Sequence, residues 1–288
     1  MTARQTALTV AVIGVGMVGG SVAAALKAGG RCAEVIGFSP EPDGSRALEL
    51  GLIDRLASSV ADAVAGADRI VLAAPIPAMP QVLRELRPVL RPDALITDCA
   101  SAKSSVIAAA DRELGDAFDR FLPGHPIAGS ERNGPDAARA ELFRDRRWLF
   151  CPARPVQTQW CESWREVLQV TGARFSEIDP ALHDRVFAEV SHWPHAVAFV
   201  MGAAIARGEL AEEAIRYAGA GLRDTSRIAA SPADLWSGIL LDNAGPVLES
   251  AERFRAELDR LIDALARRDR GALTDILDTA SRWRRRID

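Results

Sequence analysis

The chain predicts an α/β protein in two parts, a doubly wound parallel sheet followed by an all-α domain. Three observations carry this. Short β-branched runs alternate with segments of helical period up to about residue 179. A glycine-rich turn joins the first of these runs to the first helix. Beyond Asp179-Pro180 no strand-like run remains. Strands alternating with helices are the pattern of a parallel sheet. With 288 residues, 48% hydrophobic and 26% charged, the chain suits two soluble domains and excludes a disordered one.

Taken in order, residues 8–13 read as a buried strand and 17–28 as a helix closed by Gly29-Gly30. Residues 34–38 form a second strand and 44–50 a short helix. Residues 69–74 form a third strand, stopped by Pro75 and Pro77, and 79–89 a helix. A strand at 94–98 leads to a helix at 103–114. Strands at 120–123 and 148–152, a helix over 156–171 and a last strand at 173–178 complete the first half. Helices are then expected at 181–191, 196–207, 211–217, 235–241, 244–267 and 270–286. In the longest of these, Val247, Leu248, Ala251, Phe254, Leu258, Leu261, Ile262 and Leu265 recur at helical spacing. Such a stripe needs a partner surface, and packing against a second copy is the expectation. The domains are expected at 1–179 and 180–288.

Composition narrows the function. A net charge of −4 leaves no basic surface for nucleic acid. Cys32, Cys99, Cys151 and Cys161 show no C-x-x-C spacing, so neither a zinc site nor a disulfide framework is expected, and a reducing cytoplasmic setting fits. The uncharged run from Thr6 to Leu26 is long enough to span a bilayer. It contains Gly14, Gly16, Gly19 and Gly20, however, and a buried parallel strand entering a buried helix is equally free of charge. No membrane association is expected. Histidine is scarce: the four, His125, His183, His192 and His195, all lie between positions 125 and 195. A reaction needing a proton acceptor near neutral pH has few candidates.

Gly14-Val15-Gly16-Met17-Val18-Gly19 is a G-x-G-x-x-G that follows a strand and opens a helix. The first glycine permits the tight turn, the second lets backbone approach a pyrophosphate, and the third lets helix pack on strand. This is the signature of a Rossmann-type dinucleotide site. At the end of the second strand, where a carboxylate would select NAD, stands Ser39, with Glu41 and Asp43 beyond it and no arginine following until Arg46. NAD and NADP both stay open. Two polar clusters follow strands, Thr97-Asp98-Cys99-Ala100-Ser101-Ala102-Lys103 and Gly124-His125-Pro126-Ile127-Ala128-Gly129-Ser130-Glu131. A third lies in the helical half, Ser191-His192-Trp193-Pro194-His195 with Leu222 to Ala229. Ligands of open α/β sheets bind at the carboxyl ends of strands.

On these strings, with R-D-T-S-R-I-A-A-S-P-A-D-L-W closing the series, the chain resembles the prephenate/arogenate dehydrogenase (cyclohexadienyl dehydrogenase) family from about Val10 to Ala244. The resemblance implies a nucleotide-binding domain followed by a helical dimerisation domain, a homodimer, and oxidative decarboxylation of a cyclohexadienol in tyrosine biosynthesis, with hydride transfer to NAD or NADP. It implies His125 as the base for the ring hydroxyl and Ser101 beside it, touching the hydroxyl or the nicotinamide and orienting the imidazole. Arg227 holds a carboxylate, His195, Ser130 and Arg223 line the same pocket, and Trp236 closes it. Arg223 departs from the lysine common in the family. The cofactor is expected against Gly14, Gly16, Met17, Val18, Gly19, Ser39, Ala74, Pro75 and Ser101.

Read from the residues alone, Ser101 is also a candidate N-cap for the following helix. His192 and His195 have the H-x-x-H spacing of metal ligands, but no partner ligand is in view and Pro194 is expected to break the helix there, so no metal is expected. His183 and His192 read as structural. Arg223 and Arg227, four apart, would present two cations to one face, an arrangement that calls for an anion. A β-hydroxyacid dehydrogenase would share the two-part plan but use a lysine in the helical half, where this chain has none. A non-catalytic redox regulator would need an interaction surface that is not visible.

Overall fold

The computed structural model describes residues 8–129 and 132–287. Six parallel strands, β1 (Leu8–Ile13), β2 (Cys32–Phe38), β3 (Arg55–Leu56), β4 (Arg69–Leu72), β5 (Leu95–Asp98) and β6 (Phe121–Leu122), lie in the order β3-β2-β1-β4-β5-β6. This is the doubly wound order of dinucleotide-binding domains, with the crevice between β1 and β4, where the winding reverses. The uncharged first strand now has its reason. Ala11 and Ile13 face one core, with the helices α3 (Val60–Val64), α4 (Met79–Leu86) and α5 (Ser104–Leu114). Val10 and Val12 face the other, with α1 (Met17–Ala28) and α6 (Trp160–Leu168). A short α2 (Asp43–Glu49) follows β2. In α4, Met79, Val82, Leu83 and Leu86 are the buried residues, one face of a 3.6-residue period. Each such side chain contributes about 1.5–3 kcal/mol by leaving water.

Two features depart from the sequence reading. β3 and α3 are additional elements, too short to show a period. The segment around His125 is a strand rather than a loop: β7 (Gly124–Pro126) pairs antiparallel with β8 (Arg147–Phe150), which runs parallel to β9 (Arg174–Glu177) in a second, three-stranded sheet. His125 is thus held in a ladder, opposite Leu149.

After β9 the chain is helical. Asp179 caps α7 (Pro180–Phe187), its carboxylate accepting from the Leu182 amide at 2.9 Å. A π-helical turn (Ala188–His192) leads directly into α8 (Trp193–Ala206). Pro194 therefore does not break the helix. It sits in the first turn of α8, where a missing N–H is tolerated. Then come α9 (Ala211–Arg216), α10 (Ala220–Ser226), a 3-10 turn (Arg227–Ala230) and α11 (Ala233–Asp242). By internal packing the chain forms two compact units, Met1–Asn243 and Ala244–Asp288. The second holds α12 (Ala244–Ala266) and α13 (Arg270–Arg284). Leu248, Phe254, Leu258, Ile262 and Leu265 of α12 are exposed in the single chain. Among the described residues no helix is long and apolar enough to cross a membrane.

The glycine motif separates into packing and access. Gly14 has φ +94°, and a Cβ there would lie 2.6 Å from the Ala73 carbonyl; one on Gly19 would lie 1.8 Å from the Gly14 oxygen. A Cβ on Gly16 would meet no atom within 4 Å. Gly14→Ala is expected to lower Tm by several degrees. Gly16→Ala is expected to leave Tm unchanged while weakening dinucleotide binding at least tenfold. Thermal melts with and without NAD+ and NADP+ check this, and a Gly16→Ala protein that binds both like the wild type would remove the motif's ligand role.

Candidate active site

A cavity of about 860 Å³ opens at the carboxyl ends of β1, β4 and β5, within the size range of small-molecule sites. Met17 and Val18 line it from the glycine turn, Ala74 and Pro75 from the end of β4, Cys99 and Ser101 from the end of β5, and His125 from β7. The far wall holds Phe187, His192, His195, Arg227, Trp236 and Asp242. The turn fits a dinucleotide by its own chemistry. Gly16 is the N-cap of α1 and no side chain caps that helix, leaving first-turn amides for an anion, and the space over Gly16 is open.

Ser39 lies in a separate cavity of about 480 Å³ at the end of β2, with Glu41 and Ser58. Its Oγ accepts from the Val15 amide at 3.2 Å, tying the end of β2 to the glycine turn. Arg46, the nearest arginine in sequence, is held by Asp136 and Glu49.

His125 is placed by a buried ion pair. The Lys103 ammonium and the Asp98 carboxylate have no exposed side-chain surface and pair directly. Asp98 also accepts from the Gly124 amide at 3.0 Å and the Ala100 amide at 2.9 Å, while Lys103 donates to the Gly124 carbonyl. Both backbone groups of the residue before His125 are thereby fixed. Gly124 is itself required, since a Cβ there would lie 2.7 Å from the Asp98 carbonyl. Lys103 does not line the cavity.

The His125 ring is buried, and its Nδ1 lies 2.8 Å from His183 Nε2. His183 Nδ1 lies 2.9 Å from the Asp184 carboxylate. Phe187 stacks on His183 and tilts against His125. Burial, with His183, Lys103 and His192 nearby, holds His125 well below the ordinary histidine pKa, so the ring is uncharged at neutral pH. Burial alone would raise the Asp184 carboxyl. Hydrogen bonds from His183, Ser104 and Lys103 outweigh it and bring the pKa down to about 2. His183 is lowered by burial despite its bond to Asp184.

Ser101 lines the cavity but neither bonds to His125 nor caps α5. The helix begins after Lys103, and its free amides at Lys103 and Ser104 both donate to Asp184 at 2.8 Å. The side chain bonded to the imidazole is His183. His195 donates from Nδ1 to the Ser191 carbonyl at 2.8 Å, and Trp236 stacks on it at 3.5 Å between ring centroids. Arg227 lines the cavity, whereas Arg223 does not and donates to the Ala218 carbonyl at 3.3 Å. The reason is local: α10 closes at Ser226 and the chain tightens into a 3-10 turn at Arg227, so the four-residue spacing no longer sets one face. Ser130 lies outside the described residues. The H-x-x-H histidines point to different partners, since His192 Nδ1 accepts from Asn243 at 2.9 Å. Reading the sequence missed His183, Asp184 and Asn243. The available signal was that His183 and Asp184 stand among apolar helix positions, where a polar side chain needs a partner.

The comparisons with known proteins agree with this geometry. Residues 22–177 match the prephenate dehydrogenase nucleotide-binding domain, and residues 179–279 match the prephenate dehydrogenase dimerization domain. The chain belongs to the prephenate dehydrogenase family. Among curated relatives, it is 34% identical to a cyclohexadienyl dehydrogenase of Zymomonas mobilis, covering 90% of this chain and 89% of the relative. It is 32% identical to a prephenate dehydrogenase of Bacillus subtilis, covering 96% and 75%. Among solved structures, the prephenate dehydrogenase of A. aeolicus in complex with hydroxyphenyl propionate and NAD+ superposes with a TM-score of 0.89 at 30% identity, covering 98% of each chain. The Synechocystis arogenate dehydrogenase gives 0.81 at 28% identity, over 98% of this chain and 100% of that one. As in the family, the chain is an NAD(P)-dependent dehydrogenase.

The histidine cluster makes the fold acid-sensitive. Burial, opposed by Asp184, leaves His192 with a pKa of about 4, against about 6.5 in an unfolded chain. The unfolded chain therefore takes up a proton that the folded one refuses, and stability that is complete above pH 6.5 falls as pH drops toward 4. His125 and His183 act in the same direction. Urea unfolding from pH 8 to 4.5 is expected to show a steady fall in midpoint below 6.5; a midpoint constant over that range would contradict the neutral, buried histidines.

Proposed function

We propose that this dehydrogenase oxidatively decarboxylates prephenate, with arogenate as a second substrate, and that it works as a cytoplasmic homodimer with a cofactor domain at 1–179 and a helical domain at 180–288. The single observation that carries the substrate class is the charge of the cavity. Among its described lining residues Arg227 is the one permanent cation, in the same cavity as an uncharged His125. A ring with two carboxylates can then be held by one of them. The rest of the described lining, with Ile127, Phe187 and Ile239 and the carboxyl groups of Asp234 and Asp242, offers the ring carboxylate no second cation. A salt bridge there would oppose its loss as carbon dioxide, so its absence favours the reaction.

The turn at Gly14, Gly16, Met17, Val18 and Gly19, with Ala74 and Pro75, would hold the dinucleotide. When bound, the nicotinamide supplies the hydride acceptor. His125 does the proton chemistry of the chain itself. Its Nδ1 is engaged by His183, so Nε2 accepts the ring hydroxyl proton as the carbonyl develops. Ser101, in the same cavity, supplies a hydroxyl for the same oxygen or for the nicotinamide. Arg227 anchors the side-chain carboxylate, and the stacked Trp236 and His195 form a flat wall against the substrate. Support for the homodimer comes from the dimerization-domain match and the exposed stripe of α12. Support for the division at 179 comes from the end of β9 at Glu177.

Absorbance at 340 nm with prephenate or arogenate and NAD+ or NADP+ tests the reading, and a protein inert with all four pairs would overturn it. Arg227→Gln is expected to raise KM for prephenate about 10- to 100-fold, as for loss of a charged hydrogen bond that binds substrate and transition state alike. His125→Asn is expected to lower kcat at least 100-fold with KM within a few-fold of wild type, as for loss of a general base. If kcat survives, the base lies elsewhere.

A further inference from the structure

We infer that His183 and Asp184 form a positioning chain behind His125 that decides which nitrogen of the catalytic imidazole carries its proton. The inference rests on the reading of His125 as the base and adds a role for two residues that touch no substrate.

The argument follows the donors and acceptors. The Asp184 carboxylate is 3% exposed as a residue and receives three donors: the Lys103 amide, the Ser104 amide and His183 Nδ1. An ionised carboxylate only accepts, so His183 Nδ1 must carry a hydrogen. His183 has no exposed surface and lies near the Lys103 ammonium, which both oppose a second proton. Its Nε2 is then a bare acceptor. The group 2.8 Å away is His125 Nδ1, which must therefore be the protonated nitrogen. Only His125 Nε2 remains unprotonated, and that is the atom a base must present. The direction of every bond follows from the charge of Asp184 at the end.

The groups facing His125 are His183, with Asp184 behind it, from α7, His192 from the π-helical turn, and Lys103 from the connection before α5. In the reaction the hydroxyl O–H bond breaks and an Nε2–H bond forms. The oxygen's electron pair becomes the carbonyl π bond as hydride leaves the ring carbon. The imidazolium so formed keeps its Nδ1–H bond to His183, whose ring passes the stabilisation to the Asp184 carboxylate with no further proton transfer. Asp184 has a second task. By capping α5 it also holds the connection that carries Ser101.

With four histidines in the chain, nitrogen-15 spectra of histidine-labelled protein resolve each ring, and this reading does not depend on turnover. His125 is expected as the Nδ1–H tautomer across pH 6–8; the Nε2–H tautomer in the wild type would overturn the proposal. His183→Phe keeps the bulk and the stacking on Phe187 but removes the acceptor. It is expected to lower kcat with prephenate about 10- to 100-fold, with KM and NAD+ affinity within about twofold and a mixed His125 tautomer. His183→Gln, whose side-chain oxygen can reach the Nε2 position, is expected to recover kcat to within about threefold of wild type. Equal losses in both variants, or an unimpaired His183→Phe, would refute the chain. A wild-type protein that shows the Nδ1–H tautomer but turns over neither substrate would instead overturn the proposed function and leave the bond order standing.

Discussion

The buried pair of Lys103 and Asp98 joins the two sheets of this protein, and the position of His125 hangs from it. Asp98 ends β5 of the parallel sheet. Its carboxylate, with the Lys103 ammonium, grips both backbone groups of Gly124, where the second sheet begins. Two charges without solvent are costly unless geometry and extra hydrogen bonds offset their desolvation. Here the carboxylate takes two backbone amides beyond the ammonium, and the ammonium takes a carbonyl. The gain is less in net stability than in direction, because an ion pair with filled hydrogen bonds tolerates one register of β7 and so one position for His125.

The same device recurs one shell outward. Asp184 stands on α7 yet caps α5, so a helix beyond the last strand supplies the electrostatic end of a helix of the nucleotide-binding domain. Ordinarily a residue next in sequence does this work. Borrowing the cap from a distant helix ties the Ser101 connection and the His125 ring to one carboxylate. A shift of α7 would therefore move both sides of the cavity together.

Positive charge in the cavity is sparse. Burial depresses all three histidines of its lining, His125, His192 and His195. Each neutral imidazole accepts one hydrogen bond and donates one, which leaves Arg227 as the permanent cation of the described lining, beside the carboxyl groups of Asp234 and Asp242. A site with more cations would bind a dicarboxylate more tightly in its ground state, and uniform binding of that kind does not speed the chemical step.

Much of this was readable in the chain. The glycine turn, the alternation of strand and helix, and the change to helix after Asp179 are local patterns, because period and backbone permissiveness are properties of neighbouring residues. His125, Arg227 and Trp236, singled out through strings that resemble a family, line one cavity. What sequence spacing could not supply were contacts between distant segments. His183 read as a structural residue until its ring lay against His125, 58 positions away. Ser101, beside its expected place in the site, was also a candidate cap until Asp184 took that task, and Arg223 seemed to share a face with Arg227 until the helix ended between them. The sequence by itself determined the fold class and the dinucleotide turn, because period and backbone permissiveness are local. Only the tertiary structure decided what His125 bonds to, because His183 and the Asp184 carboxylate behind it are brought there by folding.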